Sequence, residues 1–208
     1  RLALLTEMGL PVEVSPAKLD EVSLPGEEPE AQAQRLAWAK AEQVAQAMPE
    51  VLVIAADTLV VLEGRVLGKP RSRDEAISML TRLRGRRHVV HTGLALAQLS
   101  SSLRSVQLAT TSVQMRAYSE PEMRAYVASG DPMDKAGAYA IQNDAFEPVQ
   151  RLDGCYANVV GLPLCHLYRV LAGWGLAPPY HPLERCPWAV QNRGCPWARG
   201  ILMQEIRH

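Results

Sequence analysis

The sequence predicts an α/β domain in which helices layer on a mixed β-sheet. Three observations carry this. Helical and strand patterns alternate along residues 1–176. Two long strand patterns, "RHVVHTGLALAQL" and "SVQLATTSVQMRAY", flank the short polar turn "SSSLR" and must pair antiparallel. With 208 residues, 48% hydrophobic and 21% charged, the chain can bury a substantial core.

The elements follow in order. Leu2 to Met8, ended by Gly9, reads as a helix, and "LPVEV" as a short strand. Ser15 to Pro29 is an acidic, proline-punctuated loop. Glu30 to Met48 is a long helix rich in Ala, Gln and Leu. An apolar run from Val51 to Ala56 meets Asp57 and continues from Leu59 to Leu62; Glu63 and Gly64 then turn the chain so that Arg65 to Leu67 pairs back. Ser72 with Glu75 forms a capping box for a helix whose stripe is Ala76, Ile77, Leu80 and Leu83, ended by Gly85. The long hairpin comes next. Ser119 with Glu122 caps a helix ending at Gly130, "EPVQRLDG" is a short strand, and Pro163 to Ala172 is a helix.

From Gly173 the character changes. Pro and Gly multiply, periodicity is lost, and "CPWA" recurs at Cys186 and Cys195. Residues 177–208 therefore read as a loosely ordered C-terminal extension, with Trp188 and Trp197 docking on the domain or on a partner subunit. Such an extension is expected to be dispensable for chemistry. Cys186, Cys195 and His181 match no standard zinc spacing.

Acids and bases balance at 22 each, which argues against a nucleic-acid polymer held by bulk positive charge but leaves single nucleotides open. No apolar run approaches the roughly 18–20 residues of a membrane span. The four cysteines are sparse and form no C-x-x-C pair, and Cys155 and Cys165 read as reduced thiols in a cytoplasmic protein.

Four features carry chemistry. Asp57 closes an apolar run, where it is either a turn residue or a carboxylate at the ligand-binding edge of a sheet. Lys40 interrupts the core-facing stripe of its helix, so it either snorkels outward or neutralises an anion. Lys69 sits between Gly68 and Pro70; the position is no P-loop, because Glu63 stands where a glycine is required and a proline follows the lysine. "GDPMDKAGAYAIQN" combines glycines that can expose backbone N–H groups to phosphate, Lys135, and the amide of Gln142, which can read a nucleobase edge; a plain connector is the alternative.

Taken in order, "RLALLTEMG", "LDE", "AWAKAEQV", "IAADTLVVLEGRVLGKP", "EAISMLTRLRGRRHVVHTGLAL", "DKAGAYAIQ" and "YANVVGLPL" resemble the successive motifs of the Maf family of nucleotide pyrophosphatases. The resemblance implies an elongated, two-lobed α/β fold with a mixed sheet and a central cleft. It implies hydrolysis of nucleoside triphosphates to the monophosphate and pyrophosphate with a divalent metal, Mg²⁺ or Mn²⁺. "AGAY-x-IQ" is similar to the branch acting on dTTP and UTP rather than on 7-methyl-GTP. By motif, Asp57 resembles the proton acceptor, Lys40, Lys69 and Glu21 resemble polar cleft residues, and Asp57 with Glu21 would hold the metal. Thr58 and Gln142 match positions tied to base choice. Arg1 matches the second arginine of the opening "S-x-S-P-R-R" signature, whose other residues do not stand in this sequence. Lys135 falls in the late loop and is expected to touch substrate. A homodimer is expected. The rival reading is a non-catalytic nucleotide-binding or regulatory module acting in cell-division arrest.

Overall fold

Five strands form one sheet in the computed structural model, which describes residues 1–204. β1 (Val53–Leu62) turns at Glu63 and Gly64, both at positive φ, into β2 (Arg65–Leu67). β3 (Arg87–Gln98) and β4 (Leu103–Met115) make the long hairpin, and β5 (Val149–Asp153) completes the order β2-β1-β3-β4-β5. Every pairing between these strands is antiparallel, not mixed as the alternating patterns suggest. The crossover through α3 (Arg73–Leu83) does join two strands of the same direction, β2 and β3, but β1 lies between them. The expected strand at residues 10–14 has no sheet partner and is largely exposed.

β1 alternates between the two faces of the sheet. Val53, Ala55, Leu59 and Val61 meet α2 (Pro29–Ala47), whose buried stripe is Gln32, Ala33, Leu36, Ala37, Ala41 and Ala45. These small side chains bring the helix close to the strands. Ile54 and Ala56 meet the opposite layer, where α1 (Leu2–Glu7) and α6 (Leu164–Gly173) pack Leu4, Leu164, Leu167 and Val170 against Leu94 and Leu96. A second core lies beyond Val60 and Leu62, where α3 and α4 (Glu120–Ala128) bury Leu80, Leu83 and Tyr126 with Met115, Tyr118 and Phe146. Both helices start as their sequences require: Ser72 accepts from the Glu75 N–H, and Ser119 and Glu122 form a full capping box. α5 (Tyr156–Val160) leads into α6.

The C-terminal extension, expected to be loosely ordered, is folded over its described residues. It forms α7 (Pro182–Arg185), α8 (Pro187–Gln191) and α9 (Ala198–Leu202), and buries Cys186, Ala189 and Ala198. Trp188 stacks on Tyr156 with ring centroids 5.9 Å apart and lies 6.3 Å from Trp197. Buried Arg169 on α6 donates to the Ile201 carbonyl, the Gln204 side chain and Gln107 on β4. Large apolar rings and one polar hook thus anchor a segment that has no periodic pattern. Residues 205–208, the end of the predicted extension, lie outside the described residues. Among those described, no helix is long and apolar enough to cross a membrane.

Candidate active site

Asp57 sits midway along β1, opposite Gly93 of β3, with its side chain on the α2 face. A Cβ at Gly93 would lie 2.1 Å from the Ala33 carbonyl oxygen of α2. The glycine therefore lets the helix backbone rest directly on the sheet beside Asp57. Lys40 follows Ala33 by about two helical turns on nearly the same face. Its Nζ donates to Asp57 Oδ1 at 2.5 Å and to Glu21 Oε1 at 2.5 Å. The interruption of the helix stripe is thus a cation between two carboxylates, not a snorkelling side chain.

Glu21 comes from the irregular loop between α1 and α2, which is tied down on both sides. Gln43 of α2 accepts from the Lys18 N–H and donates to the Lys18 carbonyl, and Arg35 grips Glu27 and the Val22 carbonyl. The Asp57 side chain is 7% exposed, Lys40 17% and Glu21 49%, so the cluster opens to solvent through Glu21. The Lys40 hydrogen bond, followed by the charges of Lys40, Lys69 and Arg1, holds Glu21 below the usual carboxylate range. Lys69, exposed at the end of the β1–β2 hairpin, also acts on Asp134. Lys40 thus lies between the two carboxylates, and the charges of Lys69 and Arg1 reach Glu21 from farther off.

Thr58 points to the other face of β1. It accepts from Arg1 Nη2 at 3.1 Å and shares a 2.9 Å hydrogen bond with Thr92, whose hydroxyl donates to the Asn158 carbonyl. Arg1 Nε donates to the Gly161 carbonyl at 2.8 Å. A Cβ on Gly161, held at φ 106°, would meet Arg1 Nε at 3.0 Å and Thr58 Oγ1 at 3.2 Å. Asn158, fully buried, donates to the Val90 carbonyl and Thr111. Gly93, Thr92, Asn158 and Gly161 are absent from the sequence-based residue set. The signal that could have found the last two is a polar residue and a glycine inside the apolar "YANVVGLPL".

The late loop is seated on β1 by Gly137, whose N–H donates to the Gly68 carbonyl and whose Cβ position lies 2.9 Å from Val60 Cγ1. Lys135 turns toward Asp134 and the Asp131 carbonyl, not toward Asp57 or Glu21. Gln142 lines a cavity of about 500 Å³ that it shares with Arg1. The structure thus joins Asp57, Lys40 and Glu21 directly, links Lys69 and Arg1 to them through charge, and places Gln142 across Arg1.

An α/β layer that sets cations around a carboxylate pair at the sheet, with an amide-bearing cavity beside them, defines a protein suited to phosphorylated small ligands. The chain belongs to the Maf family: the model for Maf-like proteins matches residues 1–174. A dTTP/UTP pyrophosphatase of Syntrophomonas wolfei is 45% identical, covering 84% of this chain and 93% of the relative. Proteins of the same name from Moorella thermoacetica and Thermomicrobium roseum are 45% and 48% identical, over 85% and 86% of this chain and 91% and 83% of theirs.

Proposed function

We propose that this protein hydrolyses dTTP and UTP to the monophosphate and pyrophosphate. The observation that carries the reading is the Lys40 bridge between Asp57 and Glu21 with Arg1 and Lys69 around it, in a chain whose relatives bear that activity in their names. Asp57 accepts the proton of a water that attacks the α-phosphorus, and the P–O bond to pyrophosphate breaks. Lys40 fixes the orientation of the Asp57 carboxylate. Lys69 and Arg1 offset phosphate charge as it builds on the leaving group. Gln142 and Thr58 select the base: a 4-keto pyrimidine presents acceptor, donor and acceptor, two of which a glutamine amide can match. Lys135, paired with Asp131 and Asp134, steadies the loop that carries Gln142 rather than meeting phosphate itself.

Two carboxylates already converging on one cation, the Lys40 ammonium, are a donor set that fits Mg²⁺ or Mn²⁺, which takes one or two carboxylates and fills its shell with phosphate and water. Asp57 and Glu21 would be the protein's share of the ligands; among the described residues no group of three metal-binding side chains gathers. A bound divalent ion would acidify the attacking water and neutralise phosphate charge. The four unpaired cysteines support action in the reducing cytoplasm. A homodimer is part of the proposal and is read by light scattering.

The test is a pyrophosphate-release assay with saturating Mg²⁺. Wild type is expected to prefer dTTP and UTP over CTP, ATP and GTP, and to lose activity with EDTA. Asp57→Asn is expected to lower turnover by about 10²-fold or more, the scale of one general base. Near-normal release by that variant refutes the assignment. Binding of dTTP without any turnover by wild type would favour the non-catalytic module.

A further inference from the structure

Between α1 and the α7–α8 segment lies the cavity of about 500 Å³ that Gln142 shares with Arg1. One wall belongs to the part of the chain that matches the family: Arg1, Gln142 and Val160. The other is Arg185, Val190 and Gln191, beyond residue 174, where the family match ends. Resting on the proposed nucleotide reading, we propose that the C-terminal extension forms one wall of the nucleoside end of the substrate site, with Val190 against the base and sugar and Gln191 as a second base-reading amide.

Four features support this. The volume lies within the range of small-ligand sites. Leu4, Val160, Pro187 and Val190 supply apolar flanks, and Gln142 and Gln191 supply two amides, the combination a flat base with a polar edge requires. Arg1 links the cavity to the carboxylate cluster: it lines the cavity, bonds Thr58 and feels the charges of Asp57 and Glu21. The wall is also held in place. Cys186 and Ala189 are buried, Trp188 stacks on Tyr156, and the Arg185 guanidinium lies 4.0 Å over the Tyr180 ring. The proposal stands against the expectation that the extension is dispensable.

The experiment is calorimetric binding of dTMP, dCMP and pyrophosphate to the full chain, beside dTTP turnover. Val190 is 58% exposed, so Val190→Trp fills the cavity without disturbing a core. That variant is expected to weaken dTMP at least ~10-fold and to raise KM for dTTP similarly, with pyrophosphate affinity within about twofold, the selectivity expected when only one pocket is altered. Gln191→Ala, which truncates an exposed side chain, is expected to reduce the preference for dTMP over dCMP about threefold. Unchanged dTMP affinity in Val190→Trp together with unchanged preference in Gln191→Ala overturns the inference, as does equal loss of dTMP and pyrophosphate. Failure of the wild type to bind dTMP overturns it too. Wild type that binds dTMP but never cleaves dTTP refutes the catalytic reading and leaves this one standing on its binding data.

Discussion

At the scale of single residues, the Asp57–Lys40 contact depends on a side chain that is missing. Gly93 allows the Ala33 carbonyl to sit where a Cβ would be, and this sets the depth of α2 on the sheet. Any larger residue pushes the helix outward, and Lys40 moves with it. Gly93→Ala is expected to destabilise the fold by about 1–3 kcal/mol, the cost of overpacking a tight contact. It is also expected to lower turnover, because Asp57 loses its orienting ammonium. A thermal melt beside the pyrophosphate assay checks both; a variant with unaltered Tm would mean that the helix can yield at no cost. Gly161 has the same logic on the opposite face, where a methyl would press on Arg1 and Thr58.

At the scale of elements, the extension is joined to the domain by few but large contacts. Trp188 is half-buried between Tyr156 and Trp197. Trp188→Ala is expected to cost about 2–3 kcal/mol, below the range for a fully buried tryptophan. The cysteines report on the same interface. Burial pushes the Cys155 thiol up to about 12 and raises Cys165 and Cys186 as well, and neighbouring thiols add to the effect. Thiols held so far above neutrality react slowly. Ellman's reagent at pH 8 is expected to leave Cys155, Cys165 and Cys186 largely unmodified in the native protein. In Trp188→Ala, Cys186 is expected to react several-fold faster as α8 loosens, on the rule that reactivity follows exposure. Equal rates in the two proteins would show that Trp188 does not hold the helix down.

At the scale of the whole molecule, two buried histidines tie stability to pH. His88 joins β3 to the late loop through a 2.7 Å hydrogen bond between Nε2 and the Tyr139 hydroxyl, and His166 lies inside α6. Burial lowers both to about 4, helped at His166 by the Arg169 charge. The ordinary value is near 6.5, so between pH 6.5 and 4 the unfolded chain binds protons that the folded chain refuses. Stability is therefore full above about pH 6.5 and is lost as pH falls through this window, by roughly 3 kcal/mol per histidine at the acid end. Denaturant melts from pH 7.5 to 4.5 are expected to show the decline, and His166→Leu to reduce its slope. A stability that stays level over that range would mean that neither ring is buried neutral. Glu21, held low by Lys40, adds a smaller loss below its ordinary carboxylate range.

Much of this was readable from the sequence, and the division has a physical cause. The helices announce themselves by caps and stripes within a few residues, as at Ser72 with Glu75 and Ser119 with Glu122, and the two hairpins by their turns. Asp57, Lys40 and Glu21, singled out by pattern and motif, meet in one cluster. Such signals are local, because capping, periodicity and turn geometry involve neighbours in the chain. The rest depended on residues far apart. Arg1 bonds Gly161 across 160 positions, Gly93 matters only because α2 lies on it, and β1 separates two strands that would otherwise have been parallel partners. The extension lacks periodicity, so nothing local foretold that Trp188 would find Tyr156, or that Val190 and Gln191 would face Gln142. Most secondary structure of residues 1–176 and the chemistry-bearing residue types were legible in the sequence alone. Which of those residues share a site was decided by tertiary packing, because long-range contacts leave no mark in the order of neighbours.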